Sequence, residues 1–334
     1  MPRRLDFLVP VYDEGAATVR PLLDSLALQL AIDFDDIGVI VCCDGGDTVL
    51  TDEFMSQYPF KIEYYMLEHK GVSATRNACL QKSNAEYVSF IDCDDRMALT
   101  CGVYTLFREM DKREFDVMVS AFYEQTKLPD GKFDFIMHGL GEMTFVHGRV
   151  YRRQYLIDND IWFPEGAQVH EDSCHTITAQ SLADPDRVLY NPTAWHCWTW
   201  RSSSTCRRDP LYLKKTYIEM LASSDELVDG FIRRMRDDLA TQYICFMVMD
   251  TYYTLLSKSW RDNINAEYRK MTEKRFAEYL HKHLERYQGA TNEMKLAVSN
   301  GVRQRHVMEG DMMLEDITID AWIQRILDAY PIAT

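Results

Sequence analysis

No Cys-x-x-C pair occurs among the nine cysteines of this 334-residue chain, and Cys42-Cys43 is the one adjacent pair. That scatter argues for reduced thiols rather than a disulfide framework, and so for a cytoplasmic protein. Cys174-His175 and His196-Cys197 match no standard zinc spacing. No apolar run approaches the roughly 20 residues of a membrane span. Met1-Pro2-Arg3-Arg4 passes at once into a strand-like run holding Asp6, without the apolar stretch of a signal peptide. Positive charge is in deficit: 37 Lys and Arg against 52 Asp and Glu leave a net charge of −15. That balance works against non-specific attraction to DNA, RNA or anionic lipid, although a local basic patch stays open. No Gly-x-Gly-x-x-Gly follows the first strand and no Gly-Lys-Ser appears, which removes the support for dinucleotide and P-loop readings.

What is present is an alternation. Apolar runs at 5–11, 37–43, 61–67 and 88–91 read as strands, and helical spacing fills 16–30, 50–57 and 71–80 between them. Each strand feeds a polar or acidic loop, so the pattern predicts a parallel sheet with right-handed crossovers and a ligand crevice at its C-terminal edge. Beyond residue 100 the spacing predicts a helix at 102–112, a strand at 116–123, a turn at Asp130-Gly131 and a helix at 145–156. A loop at 159–168, a helix at 170–182 and strand-like runs at 187–190 and 195–201 follow. After Asp209-Pro210 strands disappear, and helices are expected at 211–227, 230–262, 266–287, 291–305 and 319–329. The expected organisation is an α/β domain at 1–208 and an all-helical domain at 209–334, the latter for oligomerisation or acceptor binding.

Val88-Ser89-Phe90-Ile91-Asp92-Cys93-Asp94-Asp95 crowds three carboxylates at the end of the fourth strand. Like charges this close raise one another's pKa, and a hard divalent cation with oxygen ligands is the usual remedy. The plainer reading is a helix N-terminus, where acids complement the dipole. On an extended segment Asp92 and Asp94 project to the same side, while Asp95 points elsewhere and reads as structural. Pro10 stiffens the exit of the first strand, and the Tyr12 ring is either a surface for a planar base or a core aromatic. Asp44 either accepts an N–H from a base or shapes the turn at Gly45. Arg76 and Asn77 follow a helix-entry turn, where a guanidinium fork suits a diphosphate or is an ordinary exposed cation. Glu171-Asp172 opens a helix and by itself could serve only the dipole.

Four motifs stand in a fixed order: Val9-Pro10-Val11-Tyr12-Asp13-Glu14, Asp44-Gly45-Gly46-Asp47, Lys70-Gly71-Val72-Ser73-Ala74-Thr75-Arg76-Asn77 and Asp92-Cys93-Asp94-Asp95. With them, residues 5–206 resemble the family-2 glycosyltransferases of the GT-A fold. A fifth segment runs from Gly148-Arg149-Val150-Tyr151-Arg152-Arg153 through Phe163-Pro164-Glu165-Gly166 to Glu171-Asp172. It is similar to the acceptor half of the bacterial polymer-modifying members. The resemblance implies a Rossmann-like, mostly parallel GT-A domain and an inverting, metal-dependent transferase. Its donor would be a nucleotide-diphosphate sugar, UDP-linked, and its acceptor a hydroxyl of a surface polysaccharide or related polymer.

By the same resemblance Pro10, Tyr12, Glu14, Asp44, Arg76, Asn77, Asp92, Arg201 and Ser204 serve the donor. Asp94 holds Mn2+ or Mg2+, and Asp92 reaches the ribose or a metal-bound water. His196 is either a third metal ligand or a packed core residue. Asp172 is the catalytic base, and Glu171 orients acceptor or base. Cys43 stands where the family often has another acid, and Gly46 where it often has serine. Two other functions stay open. One is transfer to modified DNA bases, over a basic face of Arg207, Arg208, Lys214, Lys215, Arg233, Arg234 and Arg236. The other is a non-catalytic nucleotide-sugar-binding scaffold working through Tyr243, Phe246, Tyr252 and Tyr253. Whichever holds, the apolar face of 230–262 is an expected homo-oligomer contact.

Overall fold

A computed structural model describes residues 2–47, 50–165, 169–202, 204, 211–308 and 310–331. The chain divides into two compact units, Met1–Arg201 and Ser202–Thr334. The boundary expected near residue 208 lies outside the described residues.

The strands of the first unit are β1 Leu5–Val11, β2 Ile37–Cys43, β3 Lys61–Met66, β4 Tyr87–Phe90, β5 Arg96–Met97, β6 Val117–Lys127, β7 Phe133–His138, β8 Arg149–Arg152 and β9 Val188–Trp198. Its helices are α1 Ala16–Ala27, α2 Asp52–Met55, α3 Val72–Lys82, α4 Gly102–Lys112, α5 Arg153–Asp158 and α6 Glu171–Leu182. The strands form one sheet in the order β3-β2-β1-β4-β8-β6-β9-β5, with β7 paired to β6. β3, β2, β1 and β4 are mutually parallel. β8 then runs antiparallel to β4 and β6, and β9 lies parallel to β6, so the sheet is mixed beyond its first four strands.

Every residue of β1 and β2 is buried, because helices cover both faces and both sets of side chains must be apolar. Leu5, Phe7, Val9, Ile37, Val39 and Val41 pack with Val19, Leu22, Leu23 and Leu26 of α1. Leu8, Ile40 and Cys42 pack on the opposite face with Cys79 and Leu80 of α3. The position of Pro10 follows from the ladder. Ile91 N–H donates to Leu8 O at 3.1 Å, so Leu8 and, two residues on, Pro10 turn their backbone polar groups toward β4. The β1–β4 pairing ends at Leu8–Phe90, and no N–H is needed where the proline sits.

Three expectations change. The helix expected at 145–156 is the strand β8 followed by the short α5. Helical spacing there is outweighed by two open sheet edges, with Tyr151 registered against both Val88 and Val117. The runs at 187–190 and 195–201 are one strand, β9, whose pairing with β6 shifts register between Ser120 and Phe122. The acidic stretch is not extended: β4 stops at Phe90, and Asp95 N–H donates to Asp92 O at 3.0 Å. That turn, a four-residue reversal, replaces the extended segment from which a shared side for Asp92 and Asp94 was expected.

The second unit is helical: α7 Tyr212–Lys215, α8 Tyr217–Arg233, α9 Asp237–Leu255, α10 Lys258–Asn263, α11 Ala266–Gly289, α12 Asn292–Met308 and α13 Ile319–Ala329. The single helix expected at 230–262 is broken twice. Met235 takes a left-handed φ of 56°, and Ser257 caps α10 by accepting from Trp260 N–H at 3.0 Å. Ile244, Cys245, Met247 and Val248 are fully buried within the unit. The apolar face of this stretch is therefore occupied by its own neighbours. Of the basic face considered above, Arg207 and Arg208 lie outside the described residues. Arg236 pairs with Asp238 at 2.9 Å, and Lys214 contacts Ser259 and Asp311. No helix among the described residues is long and apolar enough to cross a membrane.

Candidate active site

The C-terminal ends of β1, β2 and β4 bring the expected residues to one edge of the sheet. After β2, Asp44 is buried, and its carboxylate accepts from Lys70 N–H at 2.7 Å and from Gly71 N–H at 2.9 Å. It thus anchors the turn that starts α3. His69, in the same turn, places Nδ1 3.0 Å from both the main-chain oxygen and Oδ2 of Asp44. Tyr12 is 53% exposed, which removes the core-aromatic reading, and it stacks on His69 with ring centroids 4.7 Å apart. Tyr12 N–H donates to Glu14 at 2.7 Å, and Glu14 in turn accepts from Arg201 Nη1 at 3.2 Å.

Arg76 is the hub of the acidic groups. It sits on α3 and is only 3% exposed, which excludes the ordinary surface cation. Nη2 donates to Asp92 at 3.0 Å, and Nη1 donates to Asp172 at 2.7 Å and to Glu171 at 3.1 Å. Its guanidinium also lies 5.2 Å from the centre of the Phe163 ring. Asn77, next along α3, fixes that ring's backbone from both sides. Its Nδ2 donates to Phe163 O, and Phe163 N–H donates to its Oδ1, each at 2.9 Å. Both ends of the amide are thereby committed to the chain segment under Arg76.

The charges respond as their surroundings dictate. Burial drives the Asp172 pKa up to about 7, with Arg76 pulling it down and Glu171 and Asp92 adding to the rise. Burial opposes ionisation of Asp92 as well, but Arg76, by its charge and its hydrogen bond, overcomes it and holds that carboxylate below its ordinary range. Asp94 is raised to about 7 by burial and by Asp95 and Asp92, and its compensating partner is the Nε of Arg201. Glu171 and Asp172 occupy the first turn of α6, where the dipole favours acids. The dipole reading and the Arg76 pairing hold together.

Asp95 has its own hydrogen-bond partners. It is fully buried and accepts from Thr199 N–H at 2.9 Å and from His196 Nε2 at 2.8 Å. Gly148 N–H donates to His196 Nδ1 at 3.3 Å, so the imidazole proton is on Nε2 and faces Asp95. Gly148 permits this approach. It has φ 70°, and a Cβ there would meet Ser120 O at 2.8 Å. Asp95, His147 and His196 bring ligand atoms within 4.8 Å of one another, a set that could hold a metal ion. The structure places His196 in the packed interior against Asp95, within an aromatic cluster that includes Phe122 and His147. Ser204 falls beyond the division at Arg201, in the second unit. Gly166, from the motifs above, lies outside the described residues. Sequence reasoning missed His69, His147 and the bracing of Phe163. The aromatic neighbours of His147 were visible only as scattered letters.

A sheet opening with four parallel strands, with carboxylates at their C-terminal ends, is the arrangement of a GT-A transferase domain. Residues 6–165 match the family model of glycosyl transferase family 2. Over 159 residues the chain is 29% identical to glycosyltransferase GlyA of Streptococcus pneumoniae serotype 4, covering 47% of this chain and 21% of GlyA. Over 200 residues it is 25% identical to the poly(ribitol-phosphate) beta-N-acetylglucosaminyltransferase TarS of Staphylococcus aureus, covering 56% of this chain and 34% of TarS. The chain therefore spans about a fifth to a third of the length of these relatives. The crystal structure of S. aureus TarS 1–349 with UDP-GlcNAc shares its fold, with TM-score 0.63, 17% identity and 94% of each chain covered.

Proposed function

We propose that this protein is an inverting glycosyltransferase that moves a sugar from a UDP-sugar to a hydroxyl of a polymer acceptor, in the cytoplasm. The observation that carries the reading is the shared guanidinium of Arg76. It ties Asp172 and Glu171, on the acceptor side, to Asp92 at the end of a donor-side strand. Asp172 takes the proton of the acceptor hydroxyl as that oxygen attacks the anomeric carbon. The bond from that carbon to the diphosphate breaks on the opposite face, so the configuration inverts. A buried carboxyl with a pKa of about 7 suits this work, because a base is most effective when its pKa lies near the working pH. Glu171 and Arg76 hold Asp172 in place. Tyr12, Glu14 and Arg201 flank the donor, and the polymer acceptor is drawn from the likeness to TarS.

The donor set fits a hard divalent cation. Asp94 offers carboxylate oxygens with Asp92 nearby, and their chemistry is that of a Mn2+ or Mg2+ site. Arg201 already neutralises Asp94 there. When bound, the ion would offset charge on the departing nucleotide diphosphate. Asp94→Ala is therefore expected to remove the cation-dependent part of UDP binding, measured by calorimetry with and without Mn2+. Binding that depends on the ion as strongly in the variant as in the wild type would remove Asp94 from the site.

A further inference from the structure

The expected reader of the base, Asp44, is already occupied. Its carboxylate accepts from Lys70 N–H, Gly71 N–H and His69, and it is 4% exposed. The question passes to the ring it holds. His69 Nδ1 faces two oxygens of Asp44, each at 3.0 Å. Both oxygens are acceptors, so Nδ1 carries the proton, and in the neutral ring Nε2 carries an in-plane lone pair. The His69 side chain is 60% exposed, and its face is stacked on the exposed Tyr12 ring with an interplanar angle of 26°. Holding the turn does not require the imidazole, because the Lys70 and Gly71 N–H groups already bind Asp44. The loop after β2 also makes room for it. Gly45 has φ 79°, and a Cβ there would stand 3.0 Å from His69 Cβ.

We infer that His69 is the residue that reads the donor's nucleobase. Nε2 accepts the imide N–H of a uracil-type ring lying near the imidazole plane, and Tyr12 offers that ring a parallel aromatic surface. Asp44 acts one step removed, as the group that fixes the tautomer. A cytosine ring has the same size but presents a lone pair where uracil presents N–H. Two lone pairs would then face each other, and the hydrogen bond would be lost. This inference rests on the reading that the donor is a nucleoside-diphosphate sugar, and it names the feature that chooses among such donors.

The test compares UDP and CDP by calorimetry in the presence of Mn2+. Wild type is expected to bind UDP about ten-fold more tightly than CDP, the scale of one net hydrogen bond. His69→Phe keeps a ring to stack on Tyr12 but has no acceptor. It should bring the UDP to CDP ratio close to one, with CDP affinity held within about two-fold. His69→Gln, which returns an amide oxygen, should restore part of the preference and guards against a variant that misfolds. A wild-type ratio retained in His69→Phe would overturn the inference while leaving the donor reading intact. Equal loss of both ligands in His69→Phe would also overturn it, by reducing His69 to a wall of the site. Failure of wild type to bind either nucleotide would sink the donor reading and this inference together.

Discussion

Asp172→Asn is expected to cut sugar transfer by about 10²–10⁴-fold, the usual worth of a general base, while UDP binding stays within about two-fold. Asparagine keeps the shape and can still accept a hydrogen bond from Arg76, but it cannot take a proton. The same residue sets the pH profile. Burial raises its pKa to about 7 against the pull of Arg76, so the base form is lost as pH falls through that value. Wild-type transfer is expected to rise with pH through about 7, and initial rates measured across that range report it. Turnover of the asparagine variant near wild-type levels, or a rate that stays flat on acidification, would assign the base elsewhere.

Arg76→Met carries the second large effect, on stability. The methionine fills much of the volume but leaves Asp92, Glu171 and Asp172 facing one another without the cation that all three share. Breaking a buried ion pair by removing one partner typically costs about 3–5 kcal/mol, and the near-complete burial of Arg76 puts this site in that class. The pH dependence has a definite sign. In wild type Asp92 is held below its ordinary pKa. Its contribution to stability is therefore present above the unfolded value, about 3.9, and is lost as pH falls through the lower folded value. In the variant Asp92 shifts upward instead, and Asp172, already raised to about 7 in wild type, rises further without Arg76. They favour the folded state below the unfolded value, and that stability is lost as pH rises through their folded values. The gap between wild type and variant should widen from about pH 4 toward neutrality. Denaturant titrations at the two ends of that range would show it, and a constant gap would mean that the three acids do not depend on Arg76.

Much of the fold was legible because β1 and β2 are apolar on both faces, which in a chain this long has few uses other than a doubly covered parallel sheet. The acids at the strand ends were legible for a related reason, since charge has no place in such a strand and marks where it stops. The pairing that assembles the site was not. Arg76 meets Glu171 and Asp172 across 95 and 96 residues of sequence, and Asn77 meets Phe163 across 86. Local spacing carries no trace of contacts at that range. β8 was hidden because four residues with a buried Arg149 have no period of their own, and only the neighbouring strand edges make them a strand. The turn at Asp92–Asp95 was hidden because an apolar run continues to Ile91, one residue beyond the strand. His69 looked like a polar loop residue, and its role in holding a fixed tautomer depends on an aspartate 25 residues earlier.

The central claim is that the first unit binds a UDP-sugar and breaks the bond to its diphosphate. Release of UDP from UDP-sugars, followed with Mn2+ or Mg2+ and without acceptor, tests it most directly. Slow, cation-dependent release from at least one common UDP-sugar, abolished by EDTA, is the expected result. Neither binding nor release across UDP-GlcNAc, UDP-glucose and UDP-galactose would contradict it.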